Sequence, residues 1–254
     1  MIQIHLDTVD STNTYALRYL RENPLSPEET VLITAEYQTA GRGRTGKKFS
    51  SERGNGLFMS LIVPSGKSLQ DSLMMTPSAA VGVVGALEEI GVKGLGIKWV
   101  NDIFLGERKI CGILTESVIN PDSGCMEHAV VGIGININSD MEKMPEELRQ
   151  TAGFLCLSGE QLENLPQRIA EHVFQEIWEA LFQPGGKEKM LSVYREKSCI
   201  LGKEVTWEEN GMVRNGKAVD INEEGNLVVW TGSGRTVLSS GMVSIRPVRE
   251  LSPE

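Results

Sequence analysis

The stretch GIKWVNDIFLGERKICGILTESVI, residues 96–119, decides the fold class of this 254-residue chain. It contains three apolar runs typical of β-strands, and only Gly106-Glu107-Arg108 separates the second run from the third. A fourth run, HAVVGIGINI, follows the turn at residues 120–124. Because connections this short favour antiparallel pairing over crossover helices, we predict an α+β fold whose mixed sheet is largely antiparallel.

Helix and strand patterns alternate on both sides of this stretch up to about residue 198. Apolar periodicity and end signals predict two further strands and three helices. They are the strands VLITAEY from Val31 and GLFMSLIV from Gly56, and helices after Asp10 or Ser11, from Thr76 to Gly91, and over about residues 161–182.

The last part of the chain has a different pattern. From about Cys199 it consists of the short runs KEVTWEE, GKAVDI, NLVVWT and RTVL, separated by turn signals at Asn210-Gly211, Asn215-Gly216 and residues 224–226. We therefore predict a small C-terminal β-barrel, and divide the chain into domains at 1–198 and 199–254.

Composition excludes several classes of function. The chain has 25 basic and 34 acidic residues, so its net charge of −9 argues against a nucleic-acid or anionic-membrane binder. Its four cysteines and three histidines lack the spacing of a zinc site, a redox motif or a histidine-based triad. No apolar stretch is long enough to span a membrane and no signal peptide is recognisable, so we expect a cytoplasmic protein with reduced thiols.

The most unusual segment is GRGRTGKKF, residues 41–49, which combines three glycines with four basic residues. Glycine allows close backbone approach to a ligand, and arginine and lysine bind phosphate oxygens, so the segment predicts a site for a small polyanion. A solvated turn is the alternative. The segment also matches the dinucleotide and P-loop glycine patterns, but no helix pattern follows it and Lys48 replaces the required Ser or Thr, so both are rejected.

A second candidate is the pair Asp102 and Lys109, on either side of the predicted turn at Gly106. If the two strands pair, a carboxylate able to bind Mg²⁺ or a proton and an anion-binding lysine reach one cavity. The alternative is a surface ion pair, worth about 0 to 1 kcal/mol.

Several motifs occur in a fixed order along the chain. They are Ser11-Thr12-Asn13, Gln38, the glycine-rich segment, Lys98-Trp99-Val100-Asn101-Asp102, Lys109 with Gly112-Ile113-Leu114-Thr115-Glu116, Gly132-Ile133-Gly134-Ile135-Asn136 and Val243-Ser244-Ile245-Arg246. In this order the sequence resembles the biotin protein ligase family, over nearly its whole length. The resemblance implies a class II synthetase-like ligase core followed by a small SH3-like β domain. Val100 and Phe49 stand where the family usually has proline and tryptophan, which places local loop geometry in question.

The resemblance also implies a role for each matching residue. The biotin head group would contact Ser11, Thr12, Asn13 and Gln38. The loop of Gly41, Arg42, Gly43 and Arg44 would close over the biotin carboxylate and the nucleotide phosphate. Lys109 would lie beside the reacting carboxylate, Asn101 and Asp102 beside the nucleotide, with Asp102 holding Mg²⁺, and Asn136 and Arg246 would be further contacts. Arg42, Arg44, Asp102 and Lys109 are thus the predicted catalytic residues.

The implied activity is ATP-dependent biotin protein ligation. Biotin would be activated to biotinyl-AMP with release of pyrophosphate, and then transferred to a lysine of a biotin carboxyl carrier domain, for example that of acetyl-CoA carboxylase. Because Ser11 lies so near the start, we expect the monofunctional type without an N-terminal DNA-binding domain. A lipoate or octanoyl ligase or transferase of the same architecture and a non-catalytic biotin sensor remain alternatives, and a homodimer through a sheet edge remains open.

Overall fold

A computed structural model describes residues 1–26, 28–65, 68–119, 126–138, 146–209, 211–239 and 246–247. The strands are β1 (Ile2–Val9), β2 (Val31–Gln38), β3 (Gly56–Pro64), β4 (Leu95–Lys98), β5 (Asp102–Leu105), β6 (Arg108–Ile119), β7 (Met126–Asn136), β8 (Glu204–Glu209), β9 (Met212–Ile221), β10 (Leu227–Thr231), β11 (Gly234–Leu238) and β12 (Arg246–Pro247). The helices are α1 (Thr12–Glu22), α2 (Leu69–Glu89), α3 (Glu146–Arg149), α4 (Gly159–Leu162), α5 (Leu165–Phe182) and α6 (Gly186–Glu196).

The first seven strands form one mixed sheet in the order β1-β2-β3-β7-β6-β5-β4. Strands β1 and β2 are parallel, and the remaining neighbours pair antiparallel. Successive side chains of a strand point to opposite faces, so Leu61 joins the large core under α2 and α5 while Ile62 joins a smaller core under α1. The predicted α+β class with a largely antiparallel sheet is therefore confirmed.

The C-terminal strands form a second, antiparallel sheet in the order β11-β10-β9-β8-β12. Its inward side chains, among them Val205 and Val229, belong to the same buried cluster as the large core. The Trp99 Nε1–H donates a hydrogen bond to the Gly225 carbonyl at 2.9 Å and joins the two sheets. A separate C-terminal β-sheet was predicted and is present, and the domain boundary at residues 198/199 stays a prediction.

Helix α2 begins earlier than predicted. It starts at Leu69 instead of Thr76, because Ser68 and Asp71 form a reciprocal capping box. Pro77, which the sequence suggested for the first turn, lies inside the helix. A proline there costs about 3 kcal/mol, and the helix tolerates it because the helix buries most of one side against the large core.

The predicted helix over residues 161–182 consists of two helices. Helix α4 ends at Leu162 and α5 begins at Leu165, with Asn164 in the left-handed conformation between them. Pro166 enforces the break, because a proline ring clashes with the carbonyl four residues earlier in a continuous helix.

The predicted turn at Asn215-Gly216 is wrong, because both residues lie inside strand β9. Gly216 packs so closely on β10 that an added Cβ would lie 2.6 Å from the Trp230 carbonyl oxygen. This glycine therefore serves close strand packing. Strand β1 and helix α6 carry no sequence prediction, and the predicted turn at residues 120–124 and motif residues 243–245 lie outside the described residues.

Among the helices of the described ranges, none has the length and apolar character needed to cross a membrane.

Candidate active site

The glycine-rich loop is a closed hairpin. Arg42 and Lys48 form an antiparallel bridge at its base, and a 3-10 turn spans Arg44–Gly46 at its tip. Gly46 has a φ of 74°, which glycine adopts without a steric cost. The loop thus presents its two arginines, two residues apart, from a defined backbone.

The base of the loop rests on two glycines of the sheet. Gly112 of β6 and Gly134 of β7 are directly paired, and the Phe49 ring covers both. A Cβ at Gly134 would lie 2.5 Å from the Phe49 ring, and one at Gly112 would lie 3.3 Å from it. The bare backbone at these positions lets the aromatic ring dock, so Phe49 fills a packing position.

Arg44 reaches across to the segment between β4 and β5. Its Nη1–H donates to the Asn101 Oδ1 at 3.0 Å. Asn101 is itself fixed, because its Nδ2–H donates to the Ile113 carbonyl at 3.0 Å and its carbonyl accepts the Ile113 N–H at 2.9 Å. Burial lowers the pKa of the Arg44 guanidinium, and the nearby Asp102 charge opposes that shift. An arginine remains charged even so, and Arg44 is held as a positioned cation.

Lys109 and Asp102 meet as the sequence predicted, with 2.7 Å between Nζ and Oδ1. Lys98 is the strand partner of Asp102. Burial lowers the pKa of Lys98, the Asp102 charge opposes this, and the neighbouring Lys109 charge reinforces it. We call Arg44, Lys98 and Lys109, gathered around Asp102, the basic cluster. Three cations around one carboxylate leave a local positive charge that suits a phosphate, despite the acidic chain.

A polar wall lies at the start of α1. Ser11, Thr12 and Asn13 are all nearly fully buried. The Thr12 N–H and hydroxyl both donate to the Gln38 Oε1, at 2.8 and 3.2 Å. The Gln38 Nε2–H donates to the Ser51 Oγ at 2.8 Å, next to the end of the glycine-rich loop. Buried hydroxyl and amide groups of this kind can recognise a small polar ring.

Arg42 binds a carboxylate of the protein itself. Its Nη1–H and Nη2–H donate to Glu116 Oε2 and Oε1 at 3.1 and 2.9 Å. The same Oε2 accepts an Nδ2–H of Asn13 at 2.9 Å, and the other Nδ2–H goes to the Leu114 carbonyl at 3.1 Å. The buried Ser60 hydroxyl donates to the Asn13 Oδ1 at 2.6 Å. The polar wall and the glycine-rich loop are therefore connected through Glu116.

Asn136 holds backbone rather than presenting its amide openly. Its Nδ2–H groups lie 3.1 Å from the Gly153 carbonyl and 3.4 Å from the Lys109 carbonyl. The Lys109 N–H also donates to the Thr151 carbonyl at 2.9 Å. These bonds fix the start of β6, from which Lys109 extends. For Arg246 the structure describes the backbone within β12, and its side chain lies outside the description.

The structure thus brings most of the predicted residues into three neighbouring groups, namely the loop, the basic cluster and the polar wall. Asn136 supports the backbone beside them, and the Arg246 side chain lies outside the description. Their binding and catalytic roles stay predictions. Four contributors were not predicted, Ser51, Ser60, Lys98 and Glu116. Lys98 and Glu116 lie within the quoted motifs and could have been found there, whereas Ser51 and Ser60 carry no local signal and emerge only from strand pairing and loop packing.

Asp102 is the predicted ligand of Mg²⁺. In the described ranges no three His, Cys, Asp or Glu side chains come together in a way that could hold a metal ion. Mg²⁺ commonly binds through one or two carboxylates together with substrate phosphates and water. A single carboxylate amid the basic cluster fits an ion delivered with a nucleotide, and does not fit a resident metal.

Comparison with known proteins identifies the family. The biotin/lipoate A/B protein ligase family matches residues 6–136, and the biotin protein ligase C terminal domain matches residues 200–246. The bifunctional ligase/repressor BirA of Bacillus spizizenii is 32% identical over 91% of this chain and 70% of its own length. The biotin--[acetyl-CoA-carboxylase] ligase of Paracoccus denitrificans is 26% identical over 94% of this chain and 98% of its own.

A solved structure agrees. The biotin protein ligase from Aquifex aeolicus in complex with biotin and ATP superposes with a TM-score of 0.75, at 29% identity, over 97% of this chain and 99% of that one. The chain belongs to the biotin/lipoate A/B protein ligase family. Within it, the second domain match and the relatives place the chain with the biotin protein ligases, which are enzymes.

Proposed function

We propose that this enzyme is an ATP-dependent biotin protein ligase that makes biotinyl-AMP and transfers the biotin to a lysine of a carrier domain. The observation that carries the proposal is the basic cluster at the tip of the glycine-rich loop. Three cationic side chains lie near Asp102, namely Lys109, Lys98 and Arg44, and Asn101 fixes Arg44. This concentration of positive charge suits a reaction between two anions.

The first step joins two groups that repel each other. An oxygen of the biotin carboxylate attacks the α-phosphorus of ATP, the bond to the bridging oxygen breaks, and pyrophosphate leaves with the electron pair. Arg44 and Lys109 would neutralise charge on the transferring phosphate, and Arg42 would orient the carboxylate. Mg²⁺ bound to the nucleotide would supply further charge neutralisation, with Asp102 as its protein ligand.

Biotin would be recognised by the polar wall. Ser11 and Thr12 offer buried hydroxyl groups, and the half-buried Gln38 offers its amide, for pairing with the ureido ring. The Phe49 ring, which covers the paired Gly112 and Gly134, would give the site an apolar floor. An apolar floor beside a few positioned polar groups is typical of small-molecule sites.

In the second step the ε-amine of an acceptor lysine attacks the acyl carbon of biotinyl-AMP. The acyl–oxygen bond breaks, AMP leaves and an amide forms. Asp102 would accept the amine proton in this step, in which neither Lys109 nor Mg²⁺ occupies its carboxylate, while Lys109 stays with the leaving phosphate. The acceptor would be a biotin carboxyl carrier protein or domain; a homodimer and a cytoplasmic location stay predictions.

Pyrophosphate release tests the proposed function. The enzyme with ATP and Mg²⁺ should release pyrophosphate when biotin is added, and should not when lipoate or octanoate replaces it. Biotin should also raise the melting temperature more than lipoate. Turnover with lipoate in place of biotin would favour the lipoate and octanoyl alternative. Binding of biotin without any release of pyrophosphate would favour a sensor.

A further inference from the structure

Glu116 occupies a central place among groups to which the proposed function gives roles, although it has none itself. Its carboxylate binds Arg42 through both oxygens and accepts an Asn13 amide hydrogen on one of them. The Glu116 side chain is 23% exposed and the Arg42 side chain 44% exposed. The pair therefore lies at the rim of the site, with Asn13 beneath it.

The Asn13 amide is saturated by bonds inside the protein. Both of its hydrogens are donated, to the Leu114 carbonyl and to Glu116, and its oxygen accepts the Ser60 hydroxyl. Gly132 lies so close that a side chain there would collide with the Asn13 amide. Asn13 has no amide hydrogen left for a ligand in this arrangement, and its geometry is that of a support for Glu116.

Arg42, in contrast, keeps donors for a ligand. A guanidinium has five N–H groups in one plane, and the bonds to Glu116 use two of them. A bidentate carboxylate fixes the plane of the guanidinium, and so fixes the direction of the remaining donors. Without Glu116 the exposed Arg42 side chain could rotate freely.

We infer that Glu116 is a positioning residue that, supported by Asn13 and Ser60, aims Arg42 at the carboxylate of the biotin substrate. This inference rests on the proposed function, and it assigns Asn13 to the support of Arg42 instead of to direct contact with the ureido ring. Glu116 acts on the substrate only through Arg42, so its contribution must disappear when the guanidinium is absent.

A double-mutant cycle between Glu116 and Arg42 tests the inference. The four proteins are wild type, Glu116→Gln, Arg42→Ala and the double variant. The readouts are steady-state pyrophosphate release with a biotin carboxyl carrier domain present as acceptor, and the Kd of biotin measured by calorimetry. Glu116→Gln keeps the size of the side chain but presents an NH₂ group to the donors of Arg42 or Asn13. We expect its KM for biotin to rise at least about tenfold, which corresponds to ~1.4 kcal/mol, with kcat and the KM for ATP within about twofold. In the Arg42→Ala background the same change should alter biotin affinity by less than about twofold.

Glu179→Gln is the matched control. Glu179 likewise accepts bonds from an amide, Gln175, and from a cation, Lys189, and all three lie on α5 and α6. This variant should behave as wild type in all readouts. If Glu116→Gln fails to fold, Asn13→Ala replaces it, with the same expected loss of biotin affinity and the same disappearance of that loss in the Arg42→Ala background.

Equal losses in both backgrounds would overturn the inference, since they would mean that Glu116 or Asn13 acts on biotin or on the fold without Arg42. Wild-type biotin kinetics in Glu116→Gln would overturn it as well. The assay of the wild type separates a failure of this inference from a failure of the proposed function. If the proposed function is wrong, the wild type itself releases no pyrophosphate with biotin.

Discussion

At the scale of single residues, the Lys109–Asp102 pair connects the structure to the proposed chemistry. The two side chains are 34% and 22% exposed, and partly exposed pairs of this kind contribute only about 0 to 1 kcal/mol to stability. Lys98 and Arg44 add two more cations there, and burial lowers the pKa of both. Charge concentrated in this way is more useful for binding an anion than for stabilising the fold.

Replacing Lys109 with alanine should therefore affect turnover and not folding. We expect Lys109→Ala to release pyrophosphate at least about tenfold more slowly, equivalent to ~1.4 kcal/mol at the barrier, with a melting temperature close to that of wild type. Lys189→Ala, which removes a lysine paired with Glu179 on the helices, is the control and should turn over normally. Normal turnover of Lys109→Ala would remove Lys109 from the mechanism.

Tyr194 illustrates the opposite case, a buried group that links stability to pH. Its hydroxyl donates to the Val100 carbonyl at 2.9 Å, and burial raises its pKa above the usual 10.0. Above pH 10 the unfolded phenol loses its proton while the folded one keeps it, so the folded state is destabilised as pH rises. Each pH unit above 10 should cost about 1.4 kcal/mol from this group.

Tyr194→Phe isolates that contribution. The variant should be less stable than wild type at pH 8, because the Val100 carbonyl loses its donor. Between pH 10 and 11 its free energy of unfolding should fall less steeply than that of wild type, in urea titrations at each pH. Parallel curves for the two proteins over this range would show that Tyr194 does not control the alkaline loss of stability.

Residues with a chemical signature could be predicted from the sequence, and residues that act through packing could not. The glycine-rich loop and the Lys109–Asp102 pair stand out because unusual residue types occur close together. Ser60 and Phe49 are ordinary residues whose importance comes from what lies across the sheet, Asn13 in one case and Gly134 in the other. Nothing local to either position indicates that neighbour.

At the scale of elements, the glycine-rich hairpin is the part that we predict to close over the reacting groups. Arg44 joins its tip to Asn101, while Phe49 joins its base to the sheet. A mixed anhydride such as biotinyl-AMP is hydrolysed when water reaches it, so we predict that the loop covers the intermediate until an acceptor arrives. Loss of the Arg44 contact should release the tip and leave the base docked.

Arg44→Gly should therefore uncouple activation from transfer. We expect biotinyl-AMP to escape from the variant and to label lysines of a bystander protein, such as serum albumin, at several times the wild-type yield on a streptavidin blot. Arg53→Gly, which removes an exposed arginine bound to Asp7, is the control. Bystander labelling equal to that of wild type would contradict the covering role of the loop.

At the boundaries of helices and strands, tertiary contacts can outweigh local sequence signals. The proline signal at Pro77 suggested a helix start, but burial of α2 against the large core and the Ser68 capping box extend the helix before it. The Asn215-Gly216 signal suggested a turn, but close approach of β10 explains that glycine. In both cases a tertiary contact, invisible in the local pattern, decides the outcome.

At the scale of the whole molecule, the C-terminal sheet is attached to the segment that links Lys98 to Asp102. Trp99, between Lys98 and the Asn101-Asp102 pair, donates its indole N–H to the Gly225 carbonyl in the turn between β9 and β10. On the same side, the Arg195 Nε–H of α6 donates to the Ile221 carbonyl at 2.6 Å. The C-terminal sheet thus helps to fix the segment between β4 and β5.

Trp99→Phe tests this attachment. The change keeps an aromatic ring but leaves the Gly225 carbonyl without its donor, so we expect a loss of about 1 to 3 kcal/mol in the free energy of unfolding. The midpoint of urea unfolding, followed by circular dichroism, should fall accordingly. Trp178→Phe, on α5 beside Phe174 and Phe182, is the control for loss of an indole. Equal midpoints for wild type and Trp99→Phe would show that the bond to Gly225 contributes nothing to stability.

The most direct test of the central claim, that the basic cluster and the loop hold the two reacting anions together, is a crystal structure with biotin and a non-hydrolysable ATP analogue. We predict the α-phosphate oxygens within hydrogen-bonding distance of Arg44 and Lys109, and the biotin carboxylate beside Arg42 with Glu116 still behind it. A structure in which both ligands are bound, but the loop points into solvent and Lys109 contacts neither of them, would contradict the account.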